Sequence, residues 1–138
     1  MALFDVFDIA GSAMGAEAVR LNVTASNLAN AQSVGPDEKG TYHARHPIFS
    51  AVMQSLQAGD SHSVGVKVDG IVESQAPLEK RHQPGHPMAN EDGFVFLPNV
   101  NMVDEMSNMI SASRSYQSNV EVLNTSKQMM MATLRLGQ

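Results

Sequence analysis

The sequence of 138 residues has no cysteine and no tryptophan, and aromatic residues make up only 5% of it. Without cysteine there is no disulfide, no thiolate metal site and no cysteine nucleophile. So few aromatics leave little with which to stack a sugar or a base. Positive charge is also scarce. Nine Lys and Arg stand against fourteen Asp and Glu, for a net charge of −5. That balance argues against a sequence-independent grip on nucleic acid or anionic lipid. No apolar run approaches the ~18 residues that a bilayer-spanning helix needs, so no membrane insertion is expected. Asp5 and Asp8 interrupt the first apolar stretch and no basic segment precedes it. The N-terminus therefore does not read as a secretory signal, and any export would use a route that needs none.

What is present points to helices. Residues 101–136 contain neither Pro nor Gly, so they can run as one helix of roughly 54 Å, too long for a globule of this size. Steps of four and three along it give Met102, Met106, Met109, Ser113, Tyr116, Val120, Leu123, Lys127, Met130 and Leu134. That is a narrow heptad seam, and it predicts one strand of a coiled coil. Asn101 is the expected N-cap, Asp104, Glu105 and Arg135 suit the macrodipole, and Gly137 is the stop signal. Met is abundant at 10 residues, six of them after position 100. Met129, Met130 and Met131 cannot all point the same way, so at least one is directed to a second partner.

The first 30 residues carry a matching seam of Phe4, Phe7, Gly11, Met14, Ala18, Leu21, Ala25 and Leu28. Every member is apolar or small, which suits close approach of several helices. Asn27 and Asn30 mark a frayed end before Gly35-Pro36 breaks the helix. The middle is different. Residues 41–48 begin as an extended segment, and periodicity leaves 52–56 open between strand and helical turn. Val64, Val66 and Val68 alternate strictly, with Gly70 a bulge or bend. Residues 76–89 carry Pro77, Pro84 and Pro87 and predict no regular structure. Phe94-Val95-Phe96-Leu97 is a short strand closed by Pro98, and three or so strands would make one small sheet needing a cover. The expected fold class is α+β, with long N- and C-terminal helices paired as a coiled coil around a small β-rich segment. The expected division is 1–31, 32–98 and 99–138.

Candidate chemistry is sparse. His43 and His46 are three apart and His82 and His86 four apart. Pro47, Pro84 and Gly85 break the helices on which such pairs would hold a metal, and no HExxH arrangement exists. Exposed loop histidines are the better reading. Asp5 with Asp8, and Glu91 with Asp92, suit a helix start and a turn rather than acid–base work. No Gly-x-Ser-x-Gly elbow or phosphate loop appears, and Lys80-Arg81 is too short a basic cluster for nucleic acid. No catalytic, cofactor, metal or small-molecule site is expected.

The opening LFDVFDIAGSAM and RLNVTASNLANAQSV resemble the N-terminal region of bacterial flagellar rod proteins. The closing SASRSYQSNVEVLNTSKQMMMATLRLGQ, the central IVESQAP and the turn GFVFLPNVN are similar to the proximal rod type. The signature residues are Asn27, Leu28, Ala29, Asn30, Ser113, Arg114, Tyr116, Asn119, Val120 and Asn124. One segment departs from the pattern: Ser33-Val34-Gly35-Pro36 stands where many axial relatives carry Thr-Pro-Gly-Tyr. The resemblance implies a structural subunit of the basal-body rod, in the periplasmic space, exported uncleaved by the flagellar type III apparatus. Its partners would be copies of itself and other rod proteins, met through helix seams at Phe4, Phe7, Met14, Leu21, Leu28, Met106, Met109, Tyr116, Val120, Leu123, Met130 and Leu134. In the isolated chain the two helices are expected to be largely unpaired. A non-flagellar helical adaptor, with its helices ordered in the monomer, is the alternative.

Overall fold

Two helices of very different surroundings frame the chain in the structure, a computed structural model that describes residues 3–53 and 64–136. The order is α1 (Leu3–Asn30), β1 (Arg45–Met53), β2 (Val64–Glu73), β3 (Glu79–His82), β4 (Phe94–Leu97) and α2 (Met102–Leu136). This is the expected α+β class, with a small antiparallel β segment between two long terminal helices. The expectations for residues 54–63 and for Gly137 lie outside the described residues.

The start of α2 follows the cap chemistry read from the sequence. Asn101 Oδ1 accepts the Val103 N–H at 3.0 Å, and the Glu105 N–H closes the first turn on Asn101 O at 3.0 Å. At the end of α1 the Ser33 hydroxyl and N–H both return to Asn30 O, at 2.8 and 3.0 Å. The helices run antiparallel. Arg20 Nη2 donates to Asn108 Oδ1 at 3.1 Å, and just past the end of α1 the Gln32 amide faces Met102 Sδ at 3.8 Å. Pairing therefore occurs within one chain, unlike the unpaired helices expected of an isolated subunit.

The seam between them is not the one that the apolar pattern predicts. On α2 the inward positions are Glu105, Met109, Ala112, Tyr116, Asn119, Leu123, Ser126 and Met130, again in fours and threes. Met109, Tyr116, Leu123 and Met130 belong to both seams. The other half has slipped by one residue, so that Glu105, Ala112, Asn119 and Ser126 replace Met106, Ser113, Val120 and Lys127. The reason is distance. Ala112 is fully buried, and α1 offers the buried Ala10, so small side chains bring the two backbones close together. On α1, Met14, Ala18, Leu21 and Leu28 are half-buried as expected, whereas Gly11 and Ala25 are exposed.

The β segment forms two separate antiparallel ribbons, not one small sheet. β1 pairs β2 from Arg45↔Glu73 to Met53↔Val64, with a register shift where Ile48 faces Gly70 and Phe49 faces Val68. Asp69 is the extra residue, so the bulge falls beside the glycine that suggested it. The Ser50 hydroxyl, and then the Lys67 ammonium 3.0 Å away, hold the Asp69 carboxyl below the usual carboxylate range. This ribbon lies along α1, where the Val66 N–H donates to Ser12 Oγ at 3.1 Å. Gly65 permits the approach, because a Cβ there would sit 3.2 Å from Ser12 Oγ.

The second ribbon corrects the reading of residues 76–89 as irregular. Glu79–His82 is a strand, paired to β4 from Glu79↔Leu97 to His82↔Phe94. All four of its residues are exposed, so no apolar alternation announces it. The prolines flank these four residues rather than interrupt them. On its other edge β4 is held by Gly35, which exchanges both backbone bonds with Phe96 at 3.0 Å. With cover on both sides, Val95 and Phe96 are both buried, which accounts for a continuous apolar run.

The close seam makes a prediction. Ala112→Leu should overpack the α1–α2 contact and destabilise the chain by about 1–3 kcal/mol. Urea unfolding followed by helical circular dichroism measures it, and a neutral result would mean that the helices are not this close.

Candidate assembly surface

Outside its contact with α1, α2 leaves several large apolar side chains exposed. Val103 is 70% exposed, Met106 52%, Ile110 53% and Leu134 63%. Met129 and Met131 are exposed on either side of the half-buried Met130, and the seam residue Tyr116 and nearby Val120 are covered only in part, at 37% and 36% exposed. By rise and register from the Arg20–Asn108 bond, the last ten or so residues of α2 run past the first described turn of α1.

Of the seam residues named from sequence, Phe7, Met14, Leu21, Leu28, Met109, Leu123 and Met130 are half-buried. Met106, Tyr116, Val120 and Leu134 are exposed. Phe4 lies on α1, in a position whose side chain is outside the described set. Of the signature residues, Ala29, Arg114 and Asn124 are exposed, while Asn30, Ser113 and Asn119 are half-buried. Asn30 and Asn119 each donate back one turn, to Ser26 O at 2.8 Å and Ser115 O at 2.9 Å.

Asn27 departs furthest from expectation. It is no frayed end: only 1% of it is exposed. Its Nδ2 donates to Arg45 O at 2.8 Å, and its Oδ1 accepts the Arg45 N–H at 2.9 Å and the Tyr42 hydroxyl at 2.8 Å. One amide thus satisfies both backbone groups of the first β1 residue and pins the ribbon to α1. Asn99 does the same at the other junction, accepting the Ala44 N–H at 2.8 Å and donating to Ala76 O at 2.7 Å. The sequence signal was available in principle, since an Asn inside a helix is worth having only with a partner.

Beside that clamp, α1 and the first ribbon leave a groove of about 570 Å³, lined by Val19, Asn22, Val23, Ser26, Ile71 and, at one end, Arg45 and Glu73. The two end residues form an ion pair of 2.9 Å with both side chains about half exposed. The histidines do not converge. His43 Nδ1 lies 3.0 Å from Thr41 O, His82 packs edge-on against Phe94 and His86 Nδ1 accepts the Met88 N–H at 3.1 Å. Among the described residues no group of three His, Asp or Glu is placed to hold a metal ion. No described helix is long and apolar enough to cross a membrane.

Comparison with known proteins agrees with this architecture at both ends of the chain. The family model described as "Flagella basal body rod protein" matches residues 7–36, which is most of α1 and the turn after it. The one described as "Flagellar basal body rod FlgEFG protein C-terminal" matches residues 91–136, from β4 through α2. Flagellar rod proteins are thus the class. The flagellar basal-body rod protein FlgC of Salmonella typhimurium is 54% identical over 139 residues, with the whole of both chains covered. That of Escherichia coli O6:H1 is 55% identical and that of Buchnera aphidicola from Acyrthosiphon pisum 42%, again over full length. The chain belongs to the family of flagellar basal-body rod protein FlgC.

Removing the Asn27 clamp should be costly. Asn27→Ala leaves the Arg45 N–H and C=O and the Tyr42 hydroxyl without their partner, an expected loss of about 2–4 kcal/mol. Denaturant unfolding reads it, and hydrogen exchange at the Arg45 amide should accelerate with it. An unchanged Arg45 amide would rule out the clamp.

Proposed function

We propose that this chain is a structural subunit of the flagellar basal-body rod, polymerising with copies of itself and with other rod proteins through α1 and α2. The observation that carries the reading is the set of large apolar side chains that α2 leaves outside its intrachain seam. Its inward seam gives places to Glu105, Asn119 and Ser126 beside Met109, Leu123 and Met130, while Val103, Met106 and Ile110 face outward and Leu134 lies past the end of α1. A finished monomer would not leave so many large apolar side chains open on one helix. A subunit reserves its better apolar surface for neighbours, where each Å² removed from water contributes about 25 cal/mol. Unbranched Met at the rim of that surface suits contact with neighbours that are not identical.

In this reading residues 1–31 and 99–138 form the inner, load-bearing part of the rod and residues 32–98 its outer part. The Asn27 and Asn99 clamps hold the two parts in fixed relation, as a rotating shaft requires. The chain reaches the periplasmic rod through the flagellar type III export apparatus, without a cleaved signal. Its role is mechanical, with no catalytic step assigned.

Val120→Asp tests this. Val120 lies outside the α1–α2 seam, so helical content of the purified chain should be unchanged while rod assembly and motility are lost. Leu21→Asp should also block assembly, but it is the poorer probe, because Leu21 is half-buried and a charge there disturbs the intrachain pairing too. Normal motility of the Val120→Asp strain would sink the assembly claim.

A further inference from the structure

We infer that the groove between α1 and the first ribbon receives the N-terminal half of α2 from a second copy of this chain, so that the knob is Val103, Met106 and Ile110 and the hole is Val19, Val23 and Ile71. The inference rests on the rod-subunit reading and names which two surfaces meet.

Three observations on the fold carry it. The first is position along the helix. The Arg20–Asn108 and Gln32–Met102 contacts and the antiparallel run set Met106 and Ile110 beside residues about 18–28, and Val103 beside about 25–31. The groove is lined by Val19, Asn22 and Val23, so knob and hole lie at the same level of the molecule. The second is direction. On the helical wheel of α1, Val19 and Asn22 lie roughly half a turn from the face that meets α2. On α2, the knob residues in turn point away from α1. The layers are therefore knob, α2, α1 and groove, in that order. A chain cannot insert its own knob into its own groove, but a copy placed alongside, with little axial shift, can.

The third is chemistry. The hole has an aliphatic floor, Ile71 being 52% exposed there, and the knob holds three of the most exposed apolar side chains in the described residues. Burying each against the other removes from water surface that neither covers alone. At the rim, Arg45 keeps half of its side chain open beside Glu73, and Asp104, adjacent to Val103, supplies the charge that meets it. Because knob and hole are different surfaces, the contact is heterologous and repeats without limit. It closes as a ring or climbs as a spiral, according to the rotation per copy.

The absence of native cysteine makes the test clean. Cells whose only copy carries Asn22→Cys and Met106→Cys are grown, basal bodies are purified and oxidised, and the products are separated under non-reducing conditions. Both positions are exposed, so the substitutions leave the fold intact. A ladder of dimers, trimers and higher multiples is expected, at least about tenfold above the control pair Asn22→Cys with Thr125→Cys, the margin that one buried aliphatic side chain provides. Intact basal bodies without a ladder would overturn the groove contact and leave the rod reading standing. A single cross-linked band joining one copy to a different rod component would also overturn it, since the occupant would then be another protein. Soluble, helical chain absent from basal bodies would overturn the rod reading and this contact with it. As a second readout, Val103→Asp with Ile110→Asp should lower the copies per basal body by a similar factor. Unchanged copy number would refute the knob.

Discussion

The close approach of α1 and α2 is the constraint from which the rest of the structure follows. Ala10 and Ala112 are buried, and such side chains in a seam let two helix axes come near at little cost in side-chain entropy. Met109, Leu123 and Met130 add apolar area, while Glu105, Asn119 and Ser126 occupy seam positions that apolar residues could have filled. The intrachain pairing therefore stops short of the burial the sequence could supply. The arrangement fixes where the outward face of α2 points without using up the residues that could stabilise a larger assembly.

The β segment depends on that helix pair in a specific way. A two-stranded ribbon is marginal by itself, and neither ribbon has a core of its own. The first is held by side-chain-to-backbone bonds: Asn27 to both polar groups of Arg45, and Ser12 to the Val66 N–H. The second is held by Gly35 on the free edge of β4 and by Asn99 at the entry to α2. Directional bonds of this kind specify an angle between parts, where apolar contact would specify only proximity. Their removal should loosen the relation of ribbon to helix before it melts either one.

Much of this was legible in the sequence, and the failures have a common cause. α2 followed from the absence of Pro and Gly, α1 from its seam of apolar and small residues, the α2 cap from Asn101, and β2 with its bulge from the alternating valines and Gly70. Those signals are local. The slipped seam was not legible because hydrophobic period ranks Met106 and Val120 above Glu105 and Asn119. In a subunit the apolar residues go where the larger contact will be. β3 was hidden because its four exposed residues carry no pattern, and it exists through its pairing with β4. Asn27 was misread because position alone suggested a helix end, whereas its buried amide answers to Arg45, eighteen residues later.

The same logic bears on why a rod protein would be built this way. If α2 placed Met106 and Val120 against α1, the monomer would be more stable and Glu105 and Asn119 would move to its outer face. Such a surface can make hydrogen bonds with neighbours, but those exchange for bonds to water and yield little net free energy. By turning the seam one residue, the chain accepts a weaker fold and gains an apolar face whose burial depends on a neighbour. Stability is then shared between subunits, and a shaft made of such subunits resists twisting because no copy can relax without exposing the face of the next. Stiffness in the polymer and modest stability in the free chain are two consequences of one choice of register.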